Sequence, residues 1–529
     1  MPTSITLANL SYRTPDGQTL FEGLDLSFGP QRTGLIGRNG TGKTTILKLI
    51  TGELTPSGGQ ITVSGTLGVL RQSVQVTPGT TLAQALGIAE ALARLERLDA
   101  GTGSLDDAAE ADWTLTARLS SALAQTGLPD LDPHRPLATL SGGQRTRLAL
   151  AALLIEEPDM ILLDEPTNNL DADGRAAVAD VLSGWRGGAI VVSHDRELLR
   201  RMDVIVELTT LGAKTYGGNW DHYAERKALE LAAAEHNLAA AERKVVEIDR
   251  RIQAQAERKA KKDAAGTRKA AKGDIPRIVL GGMKRRAEET SGENARLAGR
   301  MRGDAAEAAS EARAQIEILQ PLSVKLAPTN LPTGKTIVDV KELTGGPDAG
   351  NPIIRNLSFT VVGPERVAIT GANGSGKTSL LRLLTGELSP VSGTARILGS
   401  FAMLDQTVSI LDPRETIRDN YRRLNPDEDE NACRSALARF MFRADAALKV
   451  VGTLSGGEML RAGLAATIGG RTPPQLLILD EPTNHLDISA IEAVEAGLKA
   501  YDGALLVVSH DRALLGNIGV EREIVLGDD

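Results

Sequence analysis

One glycine-rich pattern of eight residues occurs twice in the chain, and this duplication constrains the fold more than any other feature. The copies are Gly37-Arg38-Asn39-Gly40-Thr41-Gly42-Lys43-Thr44 and Gly371-Ala372-Asn373-Gly374-Ser375-Gly376-Lys377-Thr378, 334 positions apart. Each follows an apolar run and precedes a second run with helical spacing. This arrangement is typical of a phosphate-binding loop between a strand and a helix. The sequence therefore predicts two α/β domains that bind phosphate groups.

Further motifs follow both loops in the same order. Lys43 to Gln72 and Lys377 to Gln406 both span 29 positions, and so do Glu165 to His194 and Glu481 to His510. The repeated motifs are a glutamine (Gln72; Gln406), Leu-Ser-Gly-Gly (Leu140 to Gly143; Leu454 to Gly457), Asp-Glu-Pro-Thr-Asn (Asp164 to Asn168; Asp480 to Asn484) and Ser-His-Asp (Ser193 to Asp195; Ser509 to Asp511). One loop could arise by chance, whereas two ordered series indicate two copies of one ATPase.

The residue types at these positions suit ATP and Mg²⁺. Loop N–H groups at a helix N-terminus surround phosphates, and the loop lysine contacts the β and γ phosphates. A loop threonine and a strand-end aspartate are oxygen ligands of the kind that Mg²⁺ uses. The predicted metal ligands are Thr44, Gln72, Asp164, Thr378, Gln406 and Asp480. The predicted ATP-binding residues of the loops are Gly37, Arg38, Asn39, Gly40, Thr41, Gly42, Lys43, Thr44 and Thr45, with Gly371, Ala372, Asn373, Gly374, Ser375, Gly376, Lys377, Thr378 and Ser379.

Glu165 and Glu481 follow the strand-end aspartates, and we expect them to polarise the attacking water. The Ser-His-Asp string is not a hydrolase triad, because adjacent residues at a strand end cannot converge. A lone histidine there is more often structural than catalytic. The constant distance of His194 and His510 from the two glutamates favours a catalytic role.

The Leu-Ser-Gly-Gly motif resembles the signature of ATP-binding cassette proteins. This resemblance implies that the signature of one cassette closes over the γ phosphate held by the other, and that His194 and His510 are switch histidines. Ser455, Gly456, Gly457 and Glu458 would then complete the site of Lys43, and Ser141, Gly142, Gly143 and Gln144 the site of Lys377. The alternative is that each serine only caps a helix, with Gly-Gly as turn residues.

The predicted fold is α/β, with two P-loop ATP-binding cassettes in tandem joined by a long antiparallel helical hairpin. The apolar runs 160–163 and 476–479 fit strands buried on both faces of a parallel sheet. We predict a first cassette over residues 1–215, a linker over 216–330 and a second cassette over 331–529. The first cassette contains about 20 more residues before its signature, in a predicted helical insertion at about 78–133.

The linker contains a strongly basic segment in an otherwise acidic protein. Apolar residues from Leu231 to Ile252 and from Met301 to Leu319 follow helical spacing. Between them, residues 251–286 contain twelve Lys or Arg against three acids, which is +9 in a chain of net charge −8. This asymmetry suggests contact with a polyanion. The RNA-contact candidates are Lys259, Lys261, Lys262, Arg268, Lys269, Lys272, Arg277, Lys284, Arg285 and Arg286.

The remaining composition narrows the class of protein. The single cysteine, Cys433, excludes a disulfide framework and a thiolate zinc site and fits a reducing cytosol. No apolar stretch is long enough to span a membrane, and we expect a cytoplasmic protein without an obligate membrane partner.

Tandem cassettes, Asp-Glu-Pro-Thr-Asn in both halves, Asn-His-Leu-Asp at 484–487 and a charged helical linker together resemble the F subfamily of ATP-binding cassette proteins. The resemblance implies a translation factor, or a ribosome-protection protein for antibiotic resistance. Such proteins bind the ribosome at the tRNA exit site, and the linker contacts the peptidyl-site tRNA. We therefore expect rRNA and tRNA as partners of a monomer whose own cassettes pair.

The chain departs from the F-subfamily pattern at two places. Asn169 stands where the family usually has histidine, and Tyr12 offers an adenine-stacking ring to the first site only, since no aromatic residue lies between Ala224 and Ser358. Two other functions stay open, a soluble ATPase subunit of a transporter and a DNA-repair cassette ATPase. The linker could also be a solvated spacer.

Overall fold

The computed structural model describes residues 3–70, 79–129, 131–168, 170–209, 212–270, 299–300, 302–304, 307, 310, 325–484 and 486–527. Two compact units are present. Met1–Tyr223 and Pro321–Asp529 form one unit, which contains both cassettes, and Ala224–Gln320 forms the other. The domain boundaries given above stay predictions.

The first cassette contains a three-stranded antiparallel sheet, in the order β2-β1-β4, and a six-stranded sheet, in the order β5-β6-β7-β3-β8-β9. All neighbours in the larger sheet are parallel except β8 and β9. The strands are β1 (Ser4–Arg13), β2 (Thr19–Phe28), β3 (Arg32–Gly37), β4 (Gly58–Ser64), β5 (Leu67–Leu70), β6 (Met160–Asp164), β7 (Gly188–Val192), β8 (Val204–Thr209) and β9 (Gly212–Gly217). The helices are α1 (Lys43–Ile50), α2 (Leu82–Ala85), α3 (Ala89–Asp99), α4 (Leu105–Ala109), α5 (Leu115–Gln125), α6 (Gly142–Glu156), α7 (Ala172–Gly184) and α8 (Arg196–Leu199).

The second cassette repeats this plan without the extra antiparallel strand. Its sheets have the orders β11-β10-β13 and β14-β15-β16-β12-β17, and the second is parallel throughout. The strands are β10 (Thr336–Gly345), β11 (Ile354–Val362), β12 (Arg366–Gly371), β13 (Ser392–Ile397), β14 (Phe401–Leu404), β15 (Leu476–Asp480), β16 (Ala504–Val508) and β17 (Arg522–Leu526). The helices are α10 (Lys377–Thr385), α11 (Ile417–Leu424), α12 (Glu430–Arg439), α13 (Gly456–Ile468), α14 (Ile488–Ala500) and α15 (Arg512–Asn517).

The predicted α/β fold with two cassettes in tandem is confirmed, and each cassette contains a largely parallel sheet. Every residue of β6, β7, β15 and β16 is buried, as in a parallel sheet that is covered on both faces. One face of each large sheet packs against the antiparallel sheet of its cassette and the helix after the loop, and in the second cassette α13 and α14 pack against the other face. In each large sheet the strand before the phosphate-binding loop lies beside the strand before the histidine, and that strand lies beside the one that ends in aspartate. The carboxyl ends of these parallel strands therefore bring the motifs to one edge.

The extra segment of the first cassette is helical. Helices α3, α4 and α5 lie within it, and residues of α3 and α5 form an apolar cluster with α6. Leu92, Leu119 and Leu148 belong to this cluster, so the insertion packs on the helix that follows the signature.

The linker begins as one long helix, α9 (Trp220–Ala270), of 51 residues. At about 1.5 Å per residue this is on the order of 75 Å. Ala234 and Ile248 of the predicted apolar seam are buried. The described residues between 299 and 310 are helical, and Arg302 Nε lies 2.8 Å from Asp249 Oδ1. This ion pair joins the returning segment to α9, as the predicted hairpin requires.

Candidate active sites

Each glycine-rich loop ends in a helix N-terminus whose N–H groups are open to a ligand. Gly42 and Gly376 precede α1 and α10 with φ near 96° and without a side-chain cap. This left-handed backbone favours glycine. The open N–H groups and the helix dipole make an anion site, as the loop pattern predicts.

The loop lysines turn back over their own loops. Lys43 Nζ donates hydrogen bonds to the carbonyls of Gly37 at 2.6 Å and Arg38 at 3.0 Å. In the second cassette Lys377 Nζ bonds to the carbonyls of Gly371 and Ala372 at 2.7 and 3.0 Å. Burial lowers the pKa of both lysines, opposed by Glu165 and Glu481 respectively. Each ammonium group is thus held beside the first two residues of its own loop.

The strand-end aspartates lie against the loop threonines. Thr378 Oγ1 donates to Asp480 Oδ2 at 3.1 Å. Burial raises the pKa of Asp164 and of Asp480, and hydrogen bonds from Thr44 and Thr378 oppose this. Asp480 Oδ1 is buried without a hydrogen-bond partner in the described part of the chain. A hydroxyl beside an unsatisfied carboxylate oxygen fits a hard cation such as Mg²⁺.

One of the two predicted glutamine ligands lies within the described residues. Gln406 lines the same cavity as Asp480. Gln72 lies outside the described residues.

Glu165 and Glu481 adopt a conformation that non-glycine residues seldom take, with φ of 49° and 48°. The carbonyls of Val192 and Val508 accept hydrogen bonds from their N–H groups, both at 2.9 Å. Burial raises the pKa of Glu165, and it raises the pKa of Glu481 to about 7 against the opposing charge of Lys377. Strained backbone and a raised carboxyl pKa together are typical of functional sites.

The histidines stand beside these glutamates. His194 Nε2 is 3.3 Å from Glu165 Oε1, and His510 Nε2 is 3.6 Å from Glu481 Oε1. Burial lowers the pKa of His194 to about 3 and of His510 to about 4, so both rings are neutral near pH 7. Both ring nitrogens of His194 and Nε2 of His510 are buried without a hydrogen-bond partner among the described residues.

Two cavities contain these groups, and both cassettes border each of them. The first, of about 510 Å³, holds Lys43, Asp164, Glu165 and His194, and the second, of about 440 Å³, holds Lys377, Asp480, Glu481 and His510. The opposite cassette contributes Thr483, Asn484, Leu486, Ile491 and Asp511 to the first cavity. Leu170 of the first cassette lines the second. The cassettes therefore face each other across both sites.

Two residues that join the cassettes were not predicted as functional. Asp487 Oδ2 accepts a hydrogen bond from Asn39 N at 2.8 Å, and Asp171 Oδ2 accepts one from Asn373 N at 3.2 Å. The repeated Leu-Asp after each Pro-Thr-Asn motif was the available signal. Sequence spacing could not show that each aspartate reaches the opposite loop.

The signature residues do not line either cavity. Ser141 and Ser455 cap α6 and α13, each in a capping box with the residue three positions on, Gln144 or Glu458. The capping alternative thus describes the local geometry. Burial lowers the pKa of Arg461, on the helix that follows Ser455, and the charges of Glu458, Asp487 and Arg38 also act on that pKa.

Tyr12 is placed differently from the expectation. Its ring is 8% exposed, pairs with Phe21 in the β1–β2 register and belongs to the core, and it does not line the first cavity. Thr14, Gln18 and Leu20 line the cavity instead. The alternation of side chains along β1 sends Tyr12 inward, so its predicted stacking role has no support in this geometry.

The structure describes the side chain of one RNA-contact candidate. Lys261 is exposed on α9. The side chains of Lys259, Lys262, Arg268 and Lys269 lie outside the described set, as do the whole residues Lys272, Arg277, Lys284, Arg285 and Arg286. Asn169, which replaces the usual histidine, is likewise outside it.

Comparison with known proteins identifies the family. The model of the family described as "ABC transporter" matches residues 22–168 and 354–484. The tylosin resistance ATP-binding protein TlrC of Streptomyces fradiae is 34% identical, over 94% of this chain and 93% of that protein. The chain belongs to the F subfamily of ATP-binding cassette proteins. It is an ATP hydrolase.

Two further similarities agree with this assignment. The energy-dependent translational throttle protein EttA of Mycobacterium tuberculosis is 30% identical, over 94% of this chain and 87% of that protein. The solved structure of an RNase-L inhibitor has a TM-score of 0.61 at 18% identity, covering 98% of this chain and 88% of that one, which shows a shared fold. Among the residues that the structure describes, no helix is both long and apolar enough to cross a membrane.

Proposed function

We propose that this ABC-F protein binds the ribosome near the tRNA exit site and acts on translation through ATP-driven closure of its two cassettes. The observation that carries the proposal is the pair of cavities bordered by both cassettes. Nucleotide bound there would contact both halves, so binding and hydrolysis would change how they pair. The protein would work as a cytoplasmic monomer without a membrane partner.

The geometry of each site supports a role for each of its groups. The loop N–H groups and Lys43 or Lys377 bind the phosphates, and Glu165 or Glu481 orients and polarises the attacking water. His194 and His510 each have a neutral ring whose unpartnered Nε2 can hydrogen-bond a γ-phosphate oxygen. Mg²⁺, held by Thr44 and Asp164 or by Thr378 and Asp480, would neutralise phosphate charge. Closure would bring Ser141 and Ser455 toward the nucleotide of the opposite site.

The ribosome as partner rests on the family and on charge. The name of one relative, EttA, describes a translational throttle, and the name of another, TlrC, describes tylosin resistance. The +9 segment at residues 251–286 supplies a local attraction for RNA phosphates. Absence of aromatic residues there favours phosphate and ribose contacts over base stacking.

Co-sedimentation with 70S ribosomes tests the proposal. The double variant Glu165→Gln/Glu481→Gln should bind ATP, stay closed and pellet with ribosomes in ATP but not in ADP. The matched control, Lys43→Ala/Lys377→Ala, should stay in the supernatant in both nucleotides, because it cannot close on ATP. If the ATP-bound double variant stays in the supernatant at low salt, a ribosomal role is excluded.

Ribosome protection against an antibiotic is the second candidate, favoured by the 34% identity with TlrC. Expression in a drug-sensitive host should then raise the inhibitory concentration of a macrolide such as tylosin. A general translation factor would leave it unchanged and alter translation rate instead.

A further inference from the structure

A buried ion pair crosses between the cassettes. Arg196 Nη1 lies 2.7 Å from Glu495 Oε1, and both side chains are 8% exposed. Asn517 Nδ2 donates to the same carboxylate oxygen at 3.0 Å, and the Arg196 guanidinium lies 5.8 Å from the centre of the Trp220 ring. Two buried charges that share hydrogen bonds depend on each other, because removal of either leaves the other unpaired.

Each member of the ion pair lies on a helix that begins close to a residue of the first nucleotide site. Arg196 is the first residue of α8 and stands two positions after His194. Glu495 lies on α14, which begins after Asp487, the residue that binds the N–H of Asn39. Pairing of the cassettes thus fixes the start of α8, and through it the backbone that carries His194.

Among the described residues, the second site has no counterpart of this pair. Glu165 and Glu481, His194 and His510, and Asp171 and Asp487 are separated by one constant offset, which makes Arg512 the counterpart of Arg196 and Ala179 the counterpart of Glu495. Ala179 has no charge to offer. Arg512 is exposed and makes no ion pair with any residue that the structure describes.

The neighbouring aspartate adds to the difference. Asp195 Oδ2 accepts a hydrogen bond from Arg175 Nη1 at 3.1 Å, while Asp195 Oδ1 caps α8. By the same offset the counterpart of Arg175 is Ile491, which cannot form this pair. The switch segment of the first site is therefore held by Arg175 within its cassette and by Glu495 from the other.

We propose that Glu495 is a positioning residue for the first site, acting across the interface through Arg196, and that the second site has no equivalent. The proposal rests on the composite sites proposed above. It places a difference between the two sites at the interface between the cassettes, whereas Tyr12, another residue that differs between the sites, is buried in the core. Closure of the cassettes would align His194 more firmly than His510, and hydrolysis at the first site would depend on Glu495.

Variants that keep the glutamate of a single site, here called one-site proteins, separate the effect of Glu495 on the first site from its effect on the second. In Glu481→Gln only the first site can hydrolyse ATP, and in Glu165→Gln only the second. Glu495→Gln keeps the shape of the side chain and removes its charge. In the first protein it should lower the rate constant of single-turnover hydrolysis about 10-fold, as expected for the loss of a charged hydrogen bond. The KM for ATP should stay within about twofold. In the second protein kcat should not change. Equal slowing of both sites, or none at the first, overturns the proposal.

Two further variants distinguish positioning from a loss of fold. The exchange Arg196→Glu/Glu495→Arg should recover part of the lost rate if the pair itself matters. Ala179→Glu in the Glu165→Gln protein gives Arg512 a partner and should raise the second-site rate severalfold, and an unchanged rate there counts against the proposal. If neither one-site protein hydrolyses ATP faster than the double glutamine variant, the catalytic assignments are wrong and the positioning role of Glu495 is wrong with them. If ribosome binding fails while the hydrolysis rates are as expected, only the ribosomal role is wrong.

Discussion

Asp487 and Asn39 are 448 positions apart in the chain, yet one carboxylate oxygen of Asp487 accepts the backbone N–H of Asn39 at 2.8 Å. The other oxygen caps α14 by accepting the N–H of Ala490 at 2.8 Å. Burial acts to raise the pKa of Asp487, but these hydrogen bonds hold it below its ordinary value. An anionic side chain therefore caps the start of α14 in the second cassette and binds the phosphate-binding loop of the first.

Asp487→Asn should separate the capping of α14 from the contact with the loop of the first cassette. The amide oxygen can still cap α14, whereas the amide nitrogen, a donor, would face the N–H of Asn39. We expect near-normal folding and a loss of about 10-fold or more in ATPase rate, because a charged hydrogen bond of about 1.5–3 kcal/mol is removed from the closed state. Steady-state hydrolysis together with the melting temperature measures both. Asp487→Ala is the comparison, since it removes the cap as well and should also lower Tm.

Replacing both glutamates tests catalysis. Glu165→Gln/Glu481→Gln keeps the volume of both side chains and removes the base, so turnover should fall by a factor on the order of 10² or more while ATP affinity is retained. Phosphate release and equilibrium binding of a fluorescent ATP analogue provide the two readings. Wild-type turnover in this variant would remove the assignment.

The raised pKa of Glu481 predicts a pH-dependent difference in stability. Between its ordinary pKa of 4.5 and the folded value of about 7, the native protein holds a proton that the unfolded chain releases. The stabilisation from this proton is complete below 4.5 and is lost as pH rises to about 7. Glu481→Gln cannot lose it, so the variant should gain up to about 3 kcal/mol over wild type across this window.

Thermal unfolding of wild type and Glu481→Gln at half-unit steps from pH 4.5 to 8 measures this gain. The lowered pKa of His510 has the opposite sign, but His510 is present in both proteins and cancels in the difference. A difference in Tm that stays constant with pH would show that Glu481 is ionised in the folded protein throughout.

The basic segment of the linker should control the salt dependence of ribosome binding. Replacing Lys259, Lys261, Lys262, Arg268, Lys269 and Lys272 with glutamine removes six charges from the +9 segment. Each lost phosphate contact should reduce the slope of log K against log salt by about 0.7–0.9. ATP affinity should not change, because the phosphate-binding loops are intact. Equal pelleting of the variant and wild type from 50 to 300 mM salt, roughly the range over which counterion release acts, would leave the linker as a spacer.

Local sequence was enough for the elements and the chemistry within each cassette. The glycine pattern before Lys43 predicts a phosphate-binding loop that leads into a helix, and the apolar run before Asp164 predicts a buried parallel strand with a carboxylate at its end. Both are decided by neighbours in the chain, through backbone sterics and side-chain burial. Repetition of the motif order then gave two ATPase copies.

Other features depend on groups far apart in the chain. Alternation along β1 turned Tyr12 into the core, and only the assembled sheet decided which face of the strand is covered. Asp171 and Asp487 belong to a repeated Leu-Asp pair, and Glu495 lies in a helix, but the partners of Asp487, Asp171 and Glu495 are 448, 202 and 299 positions away. The sequence by itself determined what each cassette is made of, because those interactions are local. Only the tertiary structure decided how one cassette touches the sites of the other, because no periodicity or spacing in the sequence identifies the distant partner of a hydrogen bond or a buried ion pair.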